Sequence, residues 1–167
     1  MTEQDVAPKP SYRAISGINE SLAAIAEVIA SAERTIRVFD ISLSNRGFNS
    51  LAVTETLRQF LVAGREHRLL IALHDTALLE RESPRLLHLL RRFPMSIEIH
   101  RTLAQARNAM DPFVVADDRG VWHQLHCEQP RAIVALNSPS DATPIAQRFD
   151  EIWELSEPAV SATTLGL

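Results

Sequence analysis

The chain of 167 residues has one lysine, Lys9, and one cysteine, Cys127. A lone cysteine excludes an internal disulfide and a zinc site built from several cysteines. With a single lysine, the remaining basic residues are all arginine, the bias of GC-rich bacterial coding sequence. No apolar run approaches the roughly 20 residues of a membrane span, and Met1–Lys9 holds no apolar stretch of the kind that opens a signal peptide. A cytoplasmic, membrane-free protein is the expectation. An excess of positive charge is also missing: the formal net charge is −4, which argues against nucleic acid as main partner because phosphate contacts need a concentrated basic face. Arg81, Arg85, Arg91 and Arg92 cluster locally, and a solvated helix face accounts for them more simply than an anion site does.

What is present is enough for one folded domain. Apolar residues make up 46% of the chain and charged residues 23%, the balance of a globular protein with a real core. Polar, proline-containing ends read as tails over residues 1–15 and 157–167, around a domain over residues 16–156.

Between the tails, the apolar period switches between helix and strand. Ile18, Leu22, Ile25, Val28 and Ile29 recur at helical spacing, with Ser16 as cap. Arg34–Ile41 is rich in β-branched residues and predicts a strand. A second helix places Val53, Leu57, Phe60 and Leu61 inward and stops at Gly64. His67–Leu73 is almost continuously apolar, as in a strand covered on both faces. Ser83-Pro84 opens a third helix with Leu86, Leu87, Leu89 and Leu90. Met95–His100 alternates as a strand does.

This β-α-β-α-β order implies a parallel sheet. Phe113–Asp117 and Val121–Cys127 flank the turn Asp118-Arg119-Gly120 and predict a hairpin. A strand at Arg131–Leu136 and a helix starting at Thr143-Pro144, with Ile145, Phe149, Ile152 and Trp153 buried, complete the order. The expected class is α/β: a mixed, mostly parallel sheet with helices on both faces, a C-terminal antiparallel hairpin and a closing helix.

That order resembles one half of the phospholipase D (PLD) fold. Leu22–Phe39 is similar to the family's opening helix and strand, Leu57–Leu73 to its second helix and strand, and Ile145–Trp153 to its closing helix. The family's motif is His-x-Lys, four residues, then Asp. The stretch that aligns with it runs from Met110 to Asp117. There Met110 stands for the nucleophilic histidine, Pro112 for the phosphate-binding lysine, and Asp117 for the aspartate. The Gly-Ser-x-Asn that follows in the family is replaced by His123-Gln124-Leu125-His126. The resemblance is to bacterial PLD-like domains lacking the motif, sometimes found after an acetyltransferase domain. It implies a pseudoenzyme that binds or regulates, as a homodimer or with a protein partner, and without a cofactor.

Residues at the carboxyl ends of parallel strands line the usual ligand crevice of an open α/β sheet. Here these are Asp40, His74, Asp75, His100 and Arg101, with Arg46 and Asp111 nearby. Such side chains suit a divalent metal or a small anionic ligand, and would serve a metal-assisted hydrolase or an anion sensor. Strand ends are polar in any protein, however, and Asp75 is equally suited to capping a turn. No bound metal is expected, the candidates being His74, Asp75 and His100. His123, His126 and Cys127 alternate across a strand and are not expected to converge. Ser42, Ser44 and Arg46 lack the glycines of a phosphate loop.

Overall fold

The computed structural model describes residues 8–162. Along the chain run β1 (Ser11–Ser16), α1 (Ile18–Ser31), β2 (Thr35–Asp40), α2 (Leu51–Val62), β3 (Arg68–Leu73), α3 (Leu79–Glu82) and α4 (Pro84–Arg92). Then follow β4 (Ile97–Thr102), a short 3-10 turn (Ala104–Ala106), β5 (Phe113–Ala116), β6 (Gly120–His126), β7 (Gln129–Leu136), α5 (Pro139–Glu154) and β8 (Ser156–Val160). All the strands join one sheet in the order β1-β7-β6-β5-β2-β3-β4-β8. β2, β3 and β4 are parallel, linked by helices that cross over one face. β5, β6 and β7 form an antiparallel meander that joins the parallel half where β5 runs antiparallel to β2.

The two faces of the sheet bury separate cores. On one, Ile25 and Val28 of α1, Leu57 of α2 and Leu86 of α4 pack on Ile36, Val38, Leu69, Ile71 and Trp122. On the other, Phe149 and Ile152 of α5 cover Phe39, Phe113, Val115 and Val121. Because side chains alternate along a strand, Val38 and Phe39 belong to different cores, and both faces must be apolar. That is why these strands read as near-continuous hydrophobic runs rather than as strict alternation.

Four boundary expectations are corrected. The described part of the N-terminal tail contains β1, which pairs with β7 from Ser11↔Leu136 to Ser16↔Arg131. Residues 157–160 of the C-terminal tail lie in β8, antiparallel to β4. Both are edge strands held mainly by backbone pairing, so their side chains carry little hydrophobic signal. Residues 1–7 and 163–167 lie outside the described part. Ser16 therefore ends a strand, and Gly17, at φ 119, precedes α1 without a side-chain cap. Finally, α5 begins at Pro139 rather than Thr143, with Pro144 inside it.

One side chain holds the two halves in register. Asp117 ends β5 in a left-handed turn, φ 54, a conformation aspartate tolerates better than most residues. Its carboxylate accepts from the backbone N–H groups of Glu33 (2.9 Å), Arg34 (2.9 Å) and Thr35 (3.0 Å), where the chain enters β2. Its own N–H donates to the Thr35 carbonyl at 2.7 Å. Asp117→Ala removes three hydrogen bonds to a carboxylate, two at exposed residues and one partly buried, and is expected to cost about 1–3 kcal/mol, with Asp117→Asn costing less. Denaturant unfolding checks this; a change within ~0.5 kcal/mol, as for an ordinary surface substitution, contradicts it.

Candidate functional site

The loop leaving β2 is pinned from inside. Leu43 and Phe48 are buried in the core, and Leu43 (φ 69) and Asn45 (φ 58) take left-handed backbone turns. This presents Arg46 to Asp40, whose side chain is 5% exposed. Arg46 donates from Nε to Asp40 Oδ2 at 2.8 Å, and Asp40 Oδ1 accepts the Ile41 N–H at 2.7 Å. The Arg46 guanidinium also lies over the Trp122 ring, 5.0 Å from its centroid. Ser42 and Ser44 hydrogen-bond to each other, and Ser44 donates to Glu82 at 2.6 Å. The loop thus spends its polar groups on itself.

Beside this loop a cavity of about 310 Å³ opens between Gly17 and Ile18 at the start of α1, Arg46, and Gln124 and Cys127 at the end of β6. The segment before β5 runs along its border: the Gln124 N–H donates to the Pro112 carbonyl at 2.9 Å and the Cys127 N–H to the Met110 carbonyl at 2.7 Å. Gln124 is buried and its amide donates to the carbonyls of His126 and Gln129. Ile18, which lines the cavity, is 63% exposed, while Met110 and Leu125, at 36% and 58%, are exposed outside its lining. Pro112 is buried.

The opposite face, under α5, carries His74, His100 and His123. His74 is buried at the end of β3, edge-on to Phe39. Its Nε2 meets the Ala109 carbonyl at 2.6 Å, so it donates there. Nδ1 lies 2.6 Å from Thr102 Oγ1, so both ring nitrogens are engaged. Burial lowers its pKa, against the Ala109 bond that favours the charged form; Arg107 lowers it further and Asp40 raises it. His100 stacks on Trp153, ring centroids 3.6 Å apart, and donates from Nδ1 to Ser156 Oγ at 2.9 Å, because that hydroxyl already donates to the Trp153 carbonyl. Burial lowers this pKa too, with Glu98 opposing.

Asp111 forms the third polar cluster on this side. Arg148 of α5 clamps its carboxylate at 3.0 and 2.5 Å, and His123 Nε2 donates to it at 2.9 Å. Burial pushes its pKa up, but the hydrogen bonds and charges of His123 and Arg148 outweigh that and hold it below the usual carboxylate range.

The expected crevice therefore does not assemble as one site. Asp40 and Arg46 lie on the α1–α2 side, while His74, His100 and Asp111 contact groups on the α5 side. Arg101 is exposed and pairs with Glu157 at 3.1 Å. Asp75 caps its own turn by accepting the Ala77 N–H at 2.8 Å. Among the described residues no group of three or more His, Cys, Asp or Glu side chains is arranged to hold a metal ion, and His74, Asp75 and His100 do not converge. His123, His126 and Cys127 also diverge: His126 Nδ1 accepts the Glu128 N–H at 3.1 Å. Arg148 and Thr102 were not singled out from the sequence. A charged residue beside the buried stripe of Ile145 and Phe149 is the one signal that pointed to Arg148.

Comparison with known proteins places this geometry. A family described as "Domain of unknown function (DUF7931)" matches residues 18–165. The chain belongs to that family. No curated protein matches. Among solved structures, the phospholipase D family member Nuc from Salmonella typhimurium matches with TM-score 0.61 and 16% identity, over 92% of this chain and 100% of that one. NucT from Helicobacter pylori gives 0.61 and 12%, over 90% and 100%. TrmBL2, an archaeal chromatin protein whose structure shows a novel mode of DNA binding, gives 0.65 and 17%, over 94% of this chain and 56% of that one. The fold of this DUF7931 domain is PLD-like, with one mixed sheet. Among the described residues no helix is long and apolar enough to cross a membrane.

The two depressed histidines set a pH dependence. The unfolded chain takes up protons near pH 6.5, about the ordinary histidine value, while folded His74 and His100 resist them. Stability therefore falls as pH drops from 7 through that value toward the folded pKa values. Thermal melts at pH 7.5 and 5.5 check it: His74→Gln and His100→Gln are each expected to flatten the decline. Variants that decline as steeply as the parent chain refute it.

Proposed function

We propose that this domain is a non-catalytic PLD-like module that binds or regulates through protein contacts. The observation that carries the reading is the chemistry of the segment aligned with the catalytic motif. Met110 offers a thioether and Pro112 no charge and no donor, so neither an attack on phosphorus nor a clamp on its oxygens is available there. Neighbouring groups do not substitute. His74 has both nitrogens engaged, His123 is tied to Asp111, and Asp117 serves the backbone. The rival reading, a metal-assisted hydrolase using Asp40, His74, Asp75 and His100, finds little support in side chains that are divided between two faces. An anion sensor built on Arg46 and Arg101 meets the same difficulty, since both guanidiniums are already paired with carboxylates.

The exposed Met110 and Leu125 give the hairpin an apolar rim and support an association surface there. A single half with this apolar rim suits a homodimer, or a complex with another chain, that buries the face around Asp111 and the hairpin. The net charge of −4 speaks against nucleic acid as the main partner, and a cytoplasmic setting fits a chain with one unpaired cysteine.

Two experiments test the reading. No turnover of bis-p-nitrophenyl phosphate that survives EDTA and vanishes in His100→Ala or His123→Ala is expected; such turnover would restore catalysis. Light scattering at micromolar concentration is expected to give a dimer mass that falls to the monomer in Leu125→Asp. A strictly monomeric parent chain would remove the homodimer.

A further inference from the structure

On the far side of α1, the outer surfaces of α2 and α4 leave a groove of about 560 Å³. It is lined by the apolar Leu51, Pro84 and Leu89 with Thr54, and by Arg58, Arg85, His88 and Arg92 with Glu55. Thr54 and Leu89 are buried, but Leu51 is 70% exposed on the first turn of α2. Val62, 59% exposed, continues the helical stripe Leu51, Glu55, Arg58, Val62. Neither exposed side chain serves the core.

The walls carry the wrong sign for this chain. Acidic residues outnumber basic ones 21 to 17 overall, yet three arginines and a histidine face one glutamate here. That glutamate is already held by Arg58, at 2.9 and 2.6 Å. Arg85 anchors the edge by donating to the Asn49 carbonyl at 2.9 Å, and Arg92 lies over the Phe93 ring at 5.7 Å. Among the described residues neither Arg85 nor Arg92 forms an ion pair, so their charge is unspent.

We propose that this groove is a docking site for an acidic amphipathic helix of a partner protein. Arg85, His88 and Arg92 stand at i, i+3 and i+7 on one face of α4, spanning about 10 Å along the axis at ~1.5 Å per residue. A partner helix with carboxylates at the same spacing meets each in turn, and its apolar stripe lies over Leu51 and Leu89 in the helix-in-groove manner. A flat lipid surface meets the exposed Leu51 and Pro84 but not the buried Thr54 and Leu89 between the two helices. The backbone of a nucleic acid offers nothing apolar to Leu51. This surface is separate from the hairpin face, so the proposal stands or falls independently of dimerisation.

The test uses the full chain and a fluorescein-labelled amphipathic peptide of about 18 residues (roughly five turns), with leucines on one face and glutamates flanking them. Controls replace its glutamates by lysine or scramble its order. Anisotropy is expected to show the glutamate peptide binding at least about tenfold more tightly than either control, with amide shifts confined to α2 and α4. Arg85→Glu/Arg92→Glu should lose that binding and gain the lysine peptide. His88→Glu/Arg92→Glu, which breaks no side-chain hydrogen bond of the fold, keeps the test valid if the first variant misfolds. Equal binding of the scrambled peptide, or binding unchanged in both variants, overturns the proposal. So does binding of phosphatidylserine vesicles or duplex DNA, lost in these variants, without binding of the peptide.

Discussion

Asp117 takes three backbone N–H groups at the point where the chain enters β2, across 84 to 82 residues of sequence. A parallel β-α-β unit and an antiparallel meander have no reason of their own to share a sheet. Their shared edge is the β2–β5 pairing from Ile36↔Ala116 to Phe39↔Phe113, and Asp117 fixes its register from the end. A slip of one residue would exchange Val114 for Val115 and turn each core inside out. The register also decides where the segment before β5 lands. With Phe113 opposite Phe39, Met110–Pro112 is carried beside the end of β2 and against β6, where its carbonyls pair with Gln124 and Cys127.

The division of the sheet into two covered faces governs the polar groups as firmly as the cores. Each buried ionisable side chain named above is satisfied close to where it stands: Asp40 by Arg46, His74 by Thr102 and Ala109, Asp111 by Arg148 and His123. In a low-dielectric interior an unpaired charge is costly, and partners on the same face are the ones within reach. Groups that chemistry would want together are thereby kept apart. Among the described residues, the apolar rim at the hairpin and the arginine-rich groove of α2 and α4 keep unspent character, and both suit binding rather than reaction.

The alternating and continuous apolar runs were enough to place the central strands and the four long helices, because burial on two faces leaves a strong local pattern. β1 and β8 escaped, since an edge strand is held by backbone pairing and β8 even contains Pro158, which gives up a donor. The PLD-like order was also visible in the chain.

The sequence by itself thus determined the order of the central elements and the two-faced core, because both are written in neighbouring residues. Only the tertiary structure decided what the polar residues do. His74 finds Ala109 across 35 residues, Asp111 finds Arg148 across 37 and Asp117 finds Glu33 across 84. Which face a side chain takes depends on register, and which partner it meets depends on the packing of α5 over the sheet. Neither leaves a trace in local spacing, and so a row of strand-end histidines and carboxylates that looked like one crevice became three separate clamps.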